Sequence, residues 1–299
     1  MTPANRTIGL IILAALVAGG TALLAQNRRA HTALKAEPIM LVPATRTITG
    51  NAVQFERSAG RWVVRSNAIP NHAVGVFPNR GNPHKIYPQN LELRFTASPT
   101  PAAQATSARD WIFGIANSGV AFDPFTAEYW QGDRQSGWNY DALGGAIGLG
   151  LDENSAHVQP SGAYHYHGIP RGLLEVAGYS QTRHSPLIGY AADGFPIFAL
   201  TGSVDGRIMQ MTSSYRLKTG QRPGGSGPSG THDGAFVEDW MYLEGTGTLD
   251  ACNGAFTVSA DFPNGTYAYF LTDAFPGVPR CFTGTPDPSF NKRRRLRQR

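Results

Sequence analysis

Residues 187–200 read LIGYAADGFPIFAL, two apolar arms on either side of Asp193-Gly194. An Asp-Gly pair between apolar runs signals a tight hairpin, and a type I′ turn is the expected connection. Outward from this hairpin the chain keeps to short extended runs. Leu91–Thr96 (LELRFT) alternates apolar and polar residues, the period of a strand with one buried face. Residues 47–55, 62–66, 111–116, 236–243 and 266–271 (TYAYFL) are further strand candidates. Only residues 172–177 and 124–130 offer short helical turns. Residues 220–234 (GQRPGGSGPSGTHDG) read as a long flexible loop. No repeat recurs at a fixed period. The expected fold is mainly β: a single large β-sandwich or barrel-like domain with long loops and few short helices.

Composition agrees with that class. Among 299 residues there are 35 Gly and 21 Pro, a supply of turn residues that suits many short strands. Charged residues make up 16%, below the usual quarter, against 41% hydrophobic. The net charge of +5 resides in the tail 291–299 (NKRRRLRQR). Taking its six cations from the 26 Lys and Arg leaves 20 against 21 Asp and Glu. The body is therefore near neutral and offers no broad basic face, so no nucleic-acid partner is expected.

The amino terminus carries an export signature. Arg6 precedes an uncharged apolar stretch, Ile8 to Ala25, with small residues at Gly20-Thr21-Ala22 that suit cleavage. Its length sits at the lower edge of what spans a bilayer. The expected organisation is a signal peptide or membrane anchor over 1–25, a linker over 26–45, a β domain over 46–290 and a basic disordered tail over 291–299. Membrane contact through the N-terminal segment follows, and a periplasmic or extracellular location. Cys252 and Cys281 are the two cysteines. In an oxidising compartment such a pair is most simply a disulfide; two free thiols or a metal pair are the alternatives.

Chemistry concentrates at Ser161-Gly162-Ala163-Tyr164-His165-Tyr166-His167-Gly168. On a strand, successive side chains point to opposite faces, so His165 and His167 share one face and Tyr164 and Tyr166 the other. Two imidazoles about 7 Å apart at Cα can converge on one ion, given a further ligand from elsewhere. His184, His157, His72, Asp152 and Asp193 are the candidates for that ligand. The leading assignment takes His184 and Asp193 as ligands or close neighbours of His165 and His167. Tyr164, Tyr166, His157 and His72 are then ligand-binding or supporting residues. Imidazole ligation suits Cu or Zn, and no spacing here chooses between them. The rival reading is an extracytoplasmic binding module for carbohydrate, cell-wall polymer or peptide that needs no metal. Scattered carboxylates and Trp residues keep a sugar-active reading open. No nucleophile elbow, zincin helix motif or P-loop occurs, and no reaction can be derived.

The string AYHYHG, with HVQPSG before it and GIP after, resembles the signature of the YHYH-domain family. The likeness extends through Ile69-Pro70-Asn71-His72, residues 113–120 (FGIANSGV), 184–189 (HSPLIG) and 193–197 (DGFPI). It continues through 233–236 (DGAF), 249–254 (LDACNG) and Pro279-Arg280-Cys281. It covers roughly residues 50–290. One departure is Phe198-Ala199, where members often carry Tyr-Gly. The resemblance implies export, and it implies a Cys252–Cys281 disulfide, because both cysteines lie in the family pattern. It also implies that Tyr164, His165, Tyr166 and His167 mark the site. It carries no reaction with it.

Overall fold

The computed structural model describes residues 36–296. The leader over 1–25, the first part of the linker and the last three tail residues lie outside the described residues. Three strands open the fold: β1 (Val53–Ser58), β2 (Arg61–Ser66) and β3 (Leu91–Thr96), an antiparallel sheet in that order. Next come β4 (Thr106–Ser107), β5 (Gly114–Ala116), β6 (Ala121–Phe122), β7 (Ala156–Val158) and β8 (Tyr164–Tyr166). A short helix, α1 (Arg171–Val176), precedes β9 (Gly189–Ala191), β10 (Pro196–Ala199), β11 (Thr201–Val204) and β12 (Arg207–Gln210). The last strands are β13 (Tyr215–Leu217), β14 (Trp240–Tyr242), β15 (Gly254–Thr257), β16 (Thr266–Leu271) and β17 (Cys281–Phe282). The fold is mainly β, as the turn-rich composition predicts.

The main sheet has eight strands in the order β15-β16-β10-β9-β5-β6-β8-β7. Its pairs are antiparallel except β10 with β16 and β6 with β8. The three-stranded sheet packs on it. The alternation of LELRFT buries Leu91, Leu93 and Phe95 while Glu92 and Arg94 face outward. Phe95 stacks on Tyr190 of β9 with ring centroids 5.2 Å apart, and Trp62 reaches the same ring at 6.3 Å. Sheet thus lies on sheet, as a sandwich requires. The barrel-like alternative is not met, because β7 and β15 each pair on one side only.

The hairpin around Asp193 forms, with Pro196 opposite Tyr190, but its turn is not type I′. Gly194 N–H bonds Ala191 O at 2.9 Å, and Ala191 N–H bonds Phe195 O at 2.9 Å. Of the loop residues only Gly194 has positive φ, +90°. This is a three-residue loop, a type I turn closed by a left-handed glycine. A Cβ at Gly194 would stand 2.4 Å from Thr96 O, so the close approach of β3 also requires glycine there.

Four other expectations are corrected. Residues 220–234 are not a loose loop, because Arg222 is buried in it and pairs with Asp239 Oδ2 at 2.6 Å and with Asp233. A buried guanidinium needs such partners, and they hold the segment. The linker is docked from residue 36 onward: Val42 N–H bonds Leu151 O at 2.9 Å, and Arg46 bridges Val74. The tail is ordered where it starts. Asn291 bridges Trp111, and a helix, α2 (Lys292–Leu296), follows, with Lys292 bound to Asp123. Residues 124–130 form no helix, only a 3-10 turn that begins at Trp130. Cys252 and Cys281 form a disulfide, which ties the approach to β15 to β17. Among the described residues no helix is long and apolar enough to cross a membrane.

Candidate metal centre

The centre is built on two neighbouring strands and the residue that follows the second. β7 and β8 form a hairpin in which His157 lies directly opposite His165. Its turn repeats that of the β9–β10 hairpin: Gly162 N–H bonds Gln159 O at 2.8 Å, and Gly162 has φ of +84°. Pro160 at the second turn position and Gly162 at the left-handed position suit this geometry. His167 lies two residues beyond His165 and is anchored by its N–H to Ser155 O at 2.8 Å.

On one face of β8, His157, His165 and His167 converge. Each offers a ring nitrogen, and the three atoms all lie within 4.8 Å of one another. Ring centroids are 4.6 to 5.0 Å apart. His157 Nε2 and His167 Nε2 are 3.2 Å apart. An ion bound tetrahedrally by nitrogens at about 2.0–2.1 Å spaces its ligand atoms about 3.3 Å apart, so this pair already has the edge length one ion demands. Backbone carbonyls orient two of the rings. His157 Nδ1 meets Leu149 O at 3.1 Å, and His165 Nδ1 meets Ala163 O at 3.2 Å. A carbonyl only accepts, so the His165 contact puts the proton on Nδ1 and leaves Nε2 its lone pair; at His157 the nearer Leu149 O favours the same tautomer over the Asn82 amide nitrogen at 3.3 Å.

All three rings are held neutral. Burial pushes the His157 pKa down to about 3, with the neighbouring His165 adding to the effect. Burial also lowers His165 and drives His167 well below its ordinary value. His165 and His167 are only 4% and 2% exposed, so protons compete poorly for these nitrogens near neutral pH. His167 Nδ1 is buried without a hydrogen-bond partner. An orphaned polar atom of this kind costs about 1–3 kcal/mol.

The opposite face of β8 is of another kind. Tyr164 Oη donates to Asp152 Oδ2 at 2.7 Å, and Tyr166 Oη donates to His72 Nε2 at 2.6 Å. His72 Nδ1 in turn donates to Ala73 O at 2.8 Å. Asp152 also accepts from Gly75 N–H and Asn154 N–H, both at 2.9 Å. Burial raises the pKa of both tyrosines. The two tyrosine hydroxyls, the Asp152 carboxylate and both His72 nitrogens have partners, Ser118 Oγ beside Tyr166 being the one buried polar atom here without one, and the network joins β8 to residues 72–75.

The alternation at residues 164–167 therefore sorts the side chains as the sequence predicts, and His157 joins the pair. His184 and Asp193 do not, and the assignment that ranked them first is corrected. His184 bonds Ser185 O at 2.7 Å and Thr257 Oγ1 at 2.9 Å, with its ring against Phe198. Asp193 accepts from Tyr269 Oη at 2.5 Å and from Gly284 N–H at 2.8 Å, and burial raises its pKa. Both are committed to joining the far strands. His72 belongs to the tyrosine face. The scattered carboxylates are likewise engaged: Asp250 accepts from Tyr267 Oη at 3.0 Å, and Asp239 clamps Arg222.

Charged groups that sequence reasoning passed over flank the histidines. Lys292 and Arg280 both depress His167, and Asp123 opposes the effect at His165. Arg280 is buried, paired with Asp141 at 2.7 Å, and lies against the Phe125 and Phe275 rings. Only the strand register reveals these neighbours.

A family model described as YHYH protein matches residues 92–284. That span contains the whole eight-stranded sheet and all three clustered histidines. No curated protein and no solved structure matches the chain.

Proposed function

The chain belongs to the YHYH protein family, and from that premise we propose that it is an exported protein that holds one transition-metal ion, zinc or copper, on His157, His165 and His167. The observation that carries this reading is the meeting of three neutral imidazole nitrogens within 4.8 Å of one another on one face of the sheet. Imidazole donors favour zinc and copper over hard cations such as magnesium or calcium. Two of the rings have carbonyl contacts at Nδ1, and the third brings its Nε2 to 3.2 Å from that of His157. Export is supported by the apolar stretch over residues 8–25 behind Arg6, and the Cys252–Cys281 disulfide suits an oxidising compartment.

Metal analysis of natively purified protein tests the proposal. The expected result is close to one zinc or copper per chain, lost in a His165→Ala/His167→Ala variant. A folded, unloaded protein that binds a carbohydrate or peptide equally well with and without these histidines would replace it with the metal-free binding module.

A further inference from the structure

The proposed centre has three nitrogen ligands, and the β6 register brings a carboxylate to its side. β6 runs parallel to β8 with Ala121 beside His165 and Phe122 beside Tyr166. The ladder continues one step further, with Asp123 N–H bonded to Tyr166 O at 2.8 Å. That step places Asp123 level with His167. Phe122 packs on the Tyr166 ring at 5.4 Å, so it occupies the tyrosine face. Its successor, Asp123, therefore projects to the histidine face.

Asp123 is an unusual buried carboxylate. Its side chain is 4% exposed, and it accepts from Lys292 Nζ at 2.5 Å and from Phe125 N–H at 3.4 Å. Both bonds land on Oδ1, which leaves Oδ2 for another partner. Lys292 reaches in from the first turn of α2, where the basic tail begins. Two further acids, the buried Asp141 and the half-buried Glu238, are engaged elsewhere. Asp141 pairs with Arg280, and Glu238 pairs with Arg109 at 2.9 Å and takes the Asn139 N–H at 2.7 Å. A divalent ion on three neutral imidazoles brings two positive charges into a buried site that already holds Arg280 and Lys292. Such a charge needs an anionic partner.

We infer that Asp123 is the fourth, carboxylate ligand of the centre, and that Lys292 holds this carboxylate in the metal-free protein and releases it when the ion binds. The inference rests on the histidine reading above. Asp123 is not one of the mutually close atoms, so ligation turns its side chain from Lys292 toward His167. The resulting set of three nitrogens and one oxygen is closed, the arrangement of a structural or storage site rather than of a catalytic one with an open position.

Zinc affinity of the full chain, stripped by chelator and measured by competition with a chromophoric chelator, tests this. Asp123→Asn is expected to weaken binding by about 100-fold, and Lys292→Met to tighten it by about 10-fold. The double variant Asp123→Asn/Lys292→Met separates ligation from field. A ligand role keeps it about as weak as Asp123→Asn, whereas a purely electrostatic role returns it to the wild-type value and overturns the inference. If Asp123→Asn does not fold, Lys292→Met decides, and unchanged or weaker binding there overturns the inference. Wild-type affinity that His165→Ala abolishes but Asp123→Asn leaves unchanged removes Asp123 and spares the triad. A wild-type chain that binds no zinc or copper removes the triad reading itself, and the inference with it.

Discussion

The two faces of β8 hold the same number of motif side chains and treat them in opposite ways. On one face, Tyr164 and Tyr166 end on Asp152 and His72, and those partners are themselves bonded to residues 73, 75 and 154. On the other, three imidazoles face one another, and one keeps a buried nitrogen without a partner. Both faces are buried, so burial does not distinguish them. What does is whether the motif side chains end on other groups of the fold or on one another. Hydroxyls that end on a carboxylate and an imidazole rigidify the structure, whereas ring nitrogens that face one another offer lone pairs to an ion. On the proposed reading, the tyrosine face carries stability and the histidine face carries binding.

Perturbing the tyrosine face should have the largest effect on stability. Asp152→Ala strands the Tyr164 hydroxyl and the Gly75 and Asn154 N–H groups. The expected loss is about 3–5 kcal/mol in urea unfolding, with metal affinity of the folded fraction within about threefold of wild type. A large change in affinity at unchanged stability would break the division between the faces.

Acid acts through the histidine face. The three rings have folded pKa values below the ordinary 6.5, about 3 for His157. The unfolded chain thus takes up protons first, so stability is full above pH 6.5 and falls as pH drops toward the folded values. Each ring contributes a slope of up to about 1.4 kcal/mol per pH unit in that window. Unfolding of metal-free protein between pH 7 and 4.5 should show this fall. Replacing His157, His165 and His167 together should flatten it, although His72, also depressed by burial, keeps part of the slope. A pH-independent metal-free protein would contradict the neutral cluster.

The smaller effects sharpen the contrast. Tyr166→Phe removes the bond to His72 Nε2 and should cost about 1–2 kcal/mol. His167→Leu removes a ring whose Nδ1 is buried and unpaired, so metal-free stability should change by no more than about 1 kcal/mol in either direction, while metal binding is lost. Thermal melts of the two variants without metal make the comparison. If His167→Leu proves the more damaging, the histidine face is a structural one.

Legibility followed the range of each signal. The period-two alternation of LELRFT and of residues 164–167 was readable because it is local, and both buried faces came out as that alternation predicts. Two hairpins share one turn geometry, yet only Asp193-Gly194 carries an obvious turn signal, and that signal points to the wrong type. Pro160-Ser161-Gly162 held the same information, and an antiparallel register through it would have set His157 opposite His165. His184 and Asp193 misled because their nearness to the motif in sequence and their residue types say nothing of the partners, Thr257, Tyr269 and Gly284, that the sheet order brings to them. Asp123 and Lys292 were invisible for the same reason: a parallel pairing and a contact across 169 residues have no local trace. The basic tail reads as disordered by composition, and the buried carboxylate that holds Lys292 has no trace there.

The most direct test is an anomalous-difference map from crystals of the zinc- or copper-loaded full chain, recorded at that metal's absorption edge. The account predicts one strong peak on the histidine face of β8, about 2.0–2.1 Å from a ring nitrogen of each of His157, His165 and His167. Contradiction would come from a map with no peak there, or with the ion bound elsewhere while the three rings stay in mutual contact.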